Sequence, residues 1–273
     1  MLRKVQPDVV VGFGSYHSAP VLLASVALGK KIVLYEANRT IGKVNRWLSF
    51  AAIAIGYQFP LIGWQSPKLV PIRWLPWRIE QKRVWTQQQA LAEYGLNEGR
   101  FTLLVFGGSQ GASFLNETAP SVVQQLSNAQ VIHLAGSELA AQKTRDLYQQ
   151  KKIPACVLSF EQEMEKAYAA ADFALCRSGA GTTAELIRYA VPALLIPYPY
   201  AAESHQQENA KYVCSLGGAM QLAQSEADIA SMVDRIEKAD REKMQTTLRQ
   251  AARENEELEM LDELVSRVCN RKK

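Results

Sequence analysis

Two kinds of apolar run alternate along this chain. Short unbroken runs bounded by glycine, proline or polar clusters predict buried strands, and runs with apolar residues three and four apart predict helices. The first strand is Pro7-Asp8-Val9-Val10-Val11, running into the turn Gly12-Phe13-Gly14-Ser15-Tyr16. A helix over 20–28, a strand over 31–36, a polar loop over 37–40, a helix over 42–54 and a short strand over 54–59 follow, with Lys68-Leu69-Val70-Pro71 as a last strand. The pattern restarts at 101–106, the first of further strands at 129–135, 155–158, 173–176, 193–196 and 219–222. Between them lie helices at 112–126, 138–150 and 162–170, one after the turn at 177–181, and one running from the polar loop 201–207 to residue 216. Gly217-Gly218 ends that last helix, and residues 226–273 are helical and charged. Strands alternating with helices imply parallel sheets with crossover connections, an α/β fold.

Residues 66–100 break this rhythm. Pro67, Pro71 and Pro76, the tryptophans Trp74, Trp77 and Trp85, and a polar helix over 81–94 read as a linker and the start of a second domain. The expected division is a partial Rossmann-like domain at 1–75, a second Rossmann-like domain at 76–250, and a C-terminal helix at 251–273. Met260, Leu261, Leu264 and Val268 give that helix an apolar stripe, which either returns to the first domain or packs on its own. The first domain supplies fewer βα units than a Rossmann-like domain of usual size. It is expected to be unusually small, or the start of the chain is missing from this sequence.

Composition narrows the function classes. Of 273 residues, 48% are apolar and 21% charged, as in a soluble globular protein. The net charge of +4 is small and dispersed, which argues against nucleic acid as a partner. Four cysteines with no CxxC spacing and three histidines argue against a zinc site or disulfide framework, and a reducing cytoplasm is the expectation. No signal peptide is visible at the start. The uncharged run from Trp47 to Pro67 is long enough to raise a membrane span, but Gly56, Gln58, Pro60 and Gly63 break it up.

Three turns are expected at the carboxyl ends of parallel strands in the second domain: 107–111, 177–181 and 199–207. Ligands bind at such places in open α/β sheets. Backbone N–H groups of the two glycine turns and the Ser109 hydroxyl can take phosphate oxygens. Glu185 can accept from ribose hydroxyls, and Gln206 and Gln207 offer amides to sugar hydroxyls. No GKS or GKT follows either glycine turn, so a P-loop is excluded. Gly107-Gly108-Ser109-Gln110-Gly111 is not GxGxxG, which disfavours a nicotinamide cofactor. With no Asp-x-Asp pair for a metal-bridged diphosphate, backbone dipoles and Arg73 or Arg177 would take that part; for Arg177 a structural pair with a carboxylate stands as the alternative.

Three stretches in this order resemble the MurG family of bacterial peptidoglycan N-acetylglucosaminyltransferases. They are Gly107-Gly108-Ser109-Gln110-Gly111-Ala112, Cys176-Arg177-Ser178-Gly179-Ala180 with Glu185, and His205-Gln206-Gln207 with Asn209-Ala210. Pro7-Asp8-Val9-Val10, Gly12-Phe13-Gly14-Ser15-Tyr16, Glu36-Ala37-Asn38, Asn45-Arg46-Trp47-Leu48 and Pro71-Ile72-Arg73 agree as well.

The resemblance implies a GT-B architecture, two Rossmann-like parallel-sheet domains facing a cleft, with the first domain truncated. It implies inverting transfer of N-acetylglucosamine from UDP-N-acetylglucosamine to undecaprenyl-diphosphate-N-acetylmuramoyl-pentapeptide (lipid I), with no metal and no cofactor. It places the enzyme peripherally on the cytoplasmic face of the bacterial inner membrane, in reach of other cell-wall enzymes. The UDP-sugar site it implies comprises Asn38, Arg73, Ser109, Gln110, Arg177, Ser178, Gly179, Glu185, Gln206 and Gln207. Glu185 would hold the ribose, Ser109 and Arg73 the diphosphate, and Gln206, Gln207 and Asn38 the donor sugar. Gly12, Gly14, Ser15 and Tyr16 would form a loop facing the acceptor diphosphate.

Three departures stand out. The family's opening Gly-Gly-Thr-Gly-Gly-His turn is absent from this sequence, and with it the usual histidine; His17, on a glycine turn, is the candidate general base in its place. Tyr35 stands where the family has histidine, and Leu69-Val70 replaces its Gly-Asn before Pro71. Two alternatives therefore stay open: a UDP-sugar-binding subunit inactive alone, and another GT-B sugar-nucleotide enzyme such as a UDP-N-acetylglucosamine 2-epimerase or a diacylglycerol glycosyltransferase.

Overall fold

The computed structural model describes all residues except 1, 75–83, 109–110, 202–203 and 271–273. Backbone contacts divide the chain into two units, Met1–Trp77 with Arg253–Lys273, and Arg78–Ala252.

The first unit opens with a short helix α1 (Leu2–Val5), strand β1 (Val9–Gly12) and a 3₁₀ turn over Tyr16–Ser18. Then come α2 (Ala19–Ala27), β2 (Lys31–Glu36), α3 (Lys43–Leu48), β3 (Ala54–Tyr57) and β4 (Leu69–Pro71). The four strands pair in parallel in the order β1-β2-β3-β4. β2 is apolar on both faces because both are covered. Ile32 and Leu34 pack with Leu22 of α2 and with Val44 and Leu48 of α3. Val33 and Tyr35 point the other way, onto Leu264 and Val268 of the C-terminal helix (Leu261–Asn270).

The helix expected over 42–54 is shorter than its pattern suggests, ending at Leu48. The backbone N–H of Ile53 already donates to Ile32 O of the sheet at 2.8 Å, so the chain must leave the helix before it. Lys68 Nζ takes up the carbonyls of Ser49 and Phe50 at 3.0 and 2.8 Å in the turn between. The uncharged run 47–67 is thus helix end, strand and loop. Among the described residues no helix is long and apolar enough to cross a membrane.

The second unit begins with α4 (Gln87–Glu93), whose N-terminus is closed by a capping box between Thr86 and Gln89. It continues through β5 (Phe101–Phe106), α5 (Ser113–Gln125), β6 (Ala129–Leu134), α6 (Glu138–Gln150), β7 (Ala155–Leu158) and α7 (Met164–Ala170). Next are β8 (Phe173–Cys176), α8 (Ala180–Arg188), β9 (Ala193–Leu195), α9 (His205–Leu216), β10 (Ala219–Gln221) and α10 (Ile229–Glu237). The chain ends through α11 (Arg241–Glu256) and α12 (Leu261–Asn270). All six strands of this sheet are parallel, in the order β10-β9-β8-β5-β6-β7.

One face of that sheet presents Leu103, Val105, Val131, Phe173, Leu175 and Leu194 to Leu115, Ala119 and Val122 of α5 and to Met232 and Ile236 of α10. A polar cluster is sealed in the same unit. His133 of β6 bonds Tyr148 Oη through Nδ1 and Asn116 Oδ1 through Nε2, both at 2.9 Å. Asn116 Nδ2 donates to Ala135 O at 3.1 Å, which makes Oδ1 the acceptor and puts the imidazole proton on Nε2.

Candidate functional site

The strand order of the second sheet reverses at β5, with β6 on one side and β8 on the other. The carboxyl ends of β5 and β8 therefore flank a topological switch point, where open α/β sheets hold ligands. The turn leaving β5 is built for glycine. Gly108 and Gly111 have φ of 87° and 73°, and Gly111 N donates to Gly108 O at 2.9 Å. A Cβ on Gly107 would lie 2.3 Å from Ala112 N, and one on Gly111 only 2.2 Å from Ala135 O. Ser109 and Gln110, expected as ligand contacts, lie outside the described residues.

The turn leaving β8 differs. Gly179 is the N-cap of α8, with φ −61° and ψ 155°, a conformation open to any residue. A Cβ there would meet only Thr182 Oγ1, at 3.9 Å. Neither torsion nor packing requires glycine at this position, and, having no side chain, the N-cap residue itself offers no acceptor to the first N–H groups of α8. A helix N-terminus placed at the end of a parallel strand in this way suits an anion.

Glu185 lies in the second turn of α8 and is half-buried. Tyr168 of α7 donates to its Oε2 at 2.7 Å. The Tyr168 ring, 2% exposed, stacks on Tyr189 with centroids 5.0 Å apart and meets Phe106 edge-on at 6.0 Å. Burial, then the Glu185 charge, pushes the Tyr168 pKa well above the usual phenol range, so it stays a donor. In sequence Tyr168 reads only as part of an apolar helix face.

Gln206 and Gln207, expected in a loop, lie in the first turn of α9. Ser204 stands before it in the left-handed region, φ 56°, and lets the helix start earlier than the polar pattern implies. Ser178 Oγ donates to Gln206 O at 2.7 Å, and Asn209 Nδ2 donates to Ser178 O at 3.3 Å. The Ser178 hydroxyl proton is therefore directed at the protein's own backbone. Gln206 Oε1 accepts from Tyr198 N at 2.9 Å, and Gln207 is exposed.

Arg177, expected at the diphosphate or in a carboxylate pair, forms no carboxylate pair among the described residues. Its Nη1 donates to Ile196 O at 3.0 Å and Pro197 O at 3.3 Å, and its Nη2 to Gln224 Oε1 at 2.7 Å. One aromatic escaped the sequence reading: Phe160, 57% exposed just beyond β7 at the same sheet edge. The signal for it is a large apolar residue directly after a strand end and before a polar run.

In the first unit Glu36, at the end of β2, is 4% exposed and receives four donors. They are Asn38 N at 3.0 Å, Asn38 Nδ2 at 3.3 Å, Gly42 N at 2.9 Å and Asn45 Nδ2 at 2.9 Å. The loop carrying Asn38 is thereby folded around one carboxylate. Gly14 has φ 74°, and a Cβ on it would come within 2.8 Å of Asn45 Nδ2. A Cβ on Gly12 would press on the Leu22 side chain at 2.7 Å. Ser15 Oγ accepts from His17 N at 3.2 Å, and Tyr16 and His17 are exposed. Tyr35 is buried and donates to Gln58 Oε1 at 2.6 Å. Arg73 Nη2 donates to the Glu256 carbonyl and Arg73 N to Glu259 O at 2.8 Å, so its guanidinium also serves the unit's own backbone. Among the described residues no group of three or more His, Cys, Asp or Glu is placed to hold a metal ion.

Residues 1–56 match the glycosyltransferase family 28 N-terminal domain, and residues 102–265 the glycosyltransferase family 28 C-terminal domain. The UDP-N-acetylglucosamine--N-acetylmuramyl-(pentapeptide) pyrophosphoryl-undecaprenol N-acetylglucosamine transferase of Protochlamydia amoebophila is 40% identical over 219 residues, 78% of this chain and 57% of that protein. The transferase of the same name from Burkholderia thailandensis is 34% identical over 278 residues, 98% of this chain and 72% of that one. Against several such relatives the chain spans less than two thirds of their length, 57% and 65% in two of them. A crystal structure of MurG from Acinetobacter baumannii superimposes with a TM-score of 0.74 at 27% identity, over 98% of this chain and 75% of that one. The glycosyltransferase of kitacinnamycin shares the fold, with a TM-score of 0.73 at 14% identity over 98% of this chain and 77% of its own.

Proposed function

The chain belongs to glycosyltransferase family 28, in its MurG branch with the GT-B class of α/β fold, and we propose that it uses UDP-N-acetylglucosamine as a glycosyl donor. The acceptor in this reading is undecaprenyl-diphosphate-N-acetylmuramoyl-pentapeptide, the substrate class carried in its relatives' names. The observation that carries the reading is the start of α8 at the switch point, with an unforced glycine at its cap and a tyrosine-held carboxylate one turn further on.

The chemistry follows from those groups. The diphosphate lies at the N-termini of α5 and α8, where backbone N–H groups and helix dipoles favour negative charge. Glu185 accepts from the ribose hydroxyls, and Phe160 offers a flat apolar face for the base. Gln206 and Gln207 hold the sugar. An acceptor hydroxyl attacks the anomeric carbon from the face opposite the leaving UDP, its proton passing to a base, with His17 the candidate in this chain. Charge developing on the departing diphosphate falls where the helix N-termini stabilise it most.

Because the acceptor carries a polyprenyl chain, the reaction takes place at a membrane surface, in this reading the cytoplasmic face of the inner membrane. Lys43, Arg46, Trp47 and Phe50 recur at helical spacing on α3 and the turn after it, all exposed, a pairing of cations and aromatics suited to lipid headgroups. Co-sedimentation with anionic but not neutral vesicles tests that part.

Calorimetry with UDP-N-acetylglucosamine tests the donor site. Glu185→Ala is expected to weaken binding by about 1–3 kcal/mol. Equal affinity in wild type and variant would remove Glu185 from the site. Transfer to a soluble lipid I analogue tests the activity itself.

A further inference from the structure

We propose that Arg177 is a positioning residue for the donor sugar, holding the Gln206 amide in place through the Pro197–Tyr198 backbone, and not a ligand of the diphosphate. The inference rests on the donor-site reading above.

Arg177 is 6% exposed, and both terminal nitrogens of its guanidinium are taken up by the protein. Among the described residues no carboxylate pairs with it, and burial lowers its pKa. A buried cation without a counter-charge is destabilising unless its hydrogen bonds are well made. Here they converge on one target. The carbonyls of Ile196 and Pro197 are the last ones before the turn that joins β9 to α9. The guanidinium carbon also lies 5.4 Å from the centroid of the Tyr198 ring. Gln224, beyond β10, anchors the far end of the guanidinium at 2.7 Å.

Beyond its own bond from Ala201 N to Tyr198 O at 3.2 Å, that turn is braced from outside by Arg177. Pro197 and Pro199 have no backbone N–H to donate, so the segment can be held only through its carbonyls and Tyr198. Tyr198 N donates to Gln206 Oε1 at 2.9 Å. Since a backbone N–H can only donate, it fixes which end of the amide faces it, and Nε2 becomes the end presented to a ligand oxygen. The Gln206 backbone is already pinned by Ser178 Oγ at 2.7 Å. The remaining freedom is the side chain, and the Arg177-braced Tyr198 N–H removes it. A guanidinium that instead gripped the diphosphate would have to give up the carbonyls that shape the sugar end of the site.

The test is calorimetry on the full chain with UDP and with UDP-N-acetylglucosamine, for wild type, Arg177→Lys and Gln224→Leu. Lysine keeps the charge but loses the fork that spans two carbonyls and an amide. In Arg177→Lys the UDP affinity is expected to stay within about twofold, while the affinity ratio of UDP-N-acetylglucosamine to UDP falls about fivefold to tenfold, the size of one lost hydrogen bond. Gln224→Leu, which leaves Arg177 in place, is expected to lower the ratio in the same direction by a smaller factor. Loss of UDP affinity by tenfold or more in Arg177→Lys with Gln224→Leu unaffected would make Arg177 a direct diphosphate ligand and overturn the proposal. An unchanged ratio in both variants, or an equal fall for both nucleotides, overturns it too. If wild type binds neither nucleotide, the donor-site reading itself has failed, a result the wild-type titration shows before any variant is compared.

Discussion

Tyr168 Oη donates to Glu185 Oε2 at 2.7 Å, from a ring that is fully enclosed while its partner carboxylate reaches the surface. The bond restricts the rotamers open to the carboxylate and so helps to set the plane in which it meets a ligand. Tyr168→Phe keeps the stack on Tyr189 and the edge contact with Phe106 and removes only the donor. UDP affinity is expected to fall about threefold to tenfold, as for one hydrogen bond of about 1 kcal/mol. Isothermal titration of the two proteins measures it, and an unchanged affinity would leave the tyrosine a packing residue only.

Gly111 and Gly179 make a matched pair for separating fold from binding. Alanine at Gly111 meets a φ of 73° and the Ala135 carbonyl at 2.2 Å, so Gly111→Ala is expected to lower stability by about 1–3 kcal/mol or more. Alanine at Gly179 meets neither, and its effect on stability should stay under about 1 kcal/mol, the size of a changed N-cap. If a phosphate approaches the start of α8, the added methyl stands in its way, and UDP affinity falls about tenfold in Gly179→Ala. Urea unfolding and titration, run on both variants, read the two effects apart. Full UDP affinity in folded Gly179→Ala would move the phosphate away from α8.

Much of this arrangement could be read from local pattern, and the part that could not is non-local. β5 and β8 were legible because strands covered on both faces are nearly continuous apolar runs, unbroken from Phe173 to Cys176 and interrupted only by Thr102 from Phe101 to Phe106. The places of the glycine turns at the strand ends and of Glu185 on the helix after β8 were legible because they are set within a few residues. Arg177 was not. Its partners Ile196, Pro197 and Gln224 lie 19, 20 and 47 positions away, and nothing in the run Cys176-Arg177-Ser178 tells a ligand arginine from a brace. The start of α9 was misplaced for a different reason. Polar residues at a helix N-terminus look like a loop, and the left-handed Ser204 that permits the early start leaves no mark in the pattern.

His133 offers a prediction about stability that is independent of the ligand. It is fully buried in β6, with Nδ1 accepting from Tyr148 and Nε2 donating to Asn116, and burial pushes its pKa down to about 3 from an ordinary 6.5. In the unfolded chain the imidazole takes a proton below about pH 6.5, whereas in the folded chain it stays neutral. The unfolded state therefore binds more protons throughout the interval between those values, and stability falls as pH drops through it. The contribution is fully present above pH 6.5 and is lost toward pH 3, at up to roughly 1.4 kcal/mol per pH unit. His133→Gln has no such proton to take up. At pH 7.5 the variant is expected to be less stable by about 1–3 kcal/mol, because Tyr148 and Asn116 lose a well-placed partner. That deficit should shrink steadily below pH 6 and vanish or reverse by about pH 4, as the wild type loses what the variant never had. Urea unfolding of both proteins across this range measures the difference, in which the carboxylates common to both cancel. A difference that stays constant from pH 7.5 to 4 would show that His133 does not remain neutral in the folded protein.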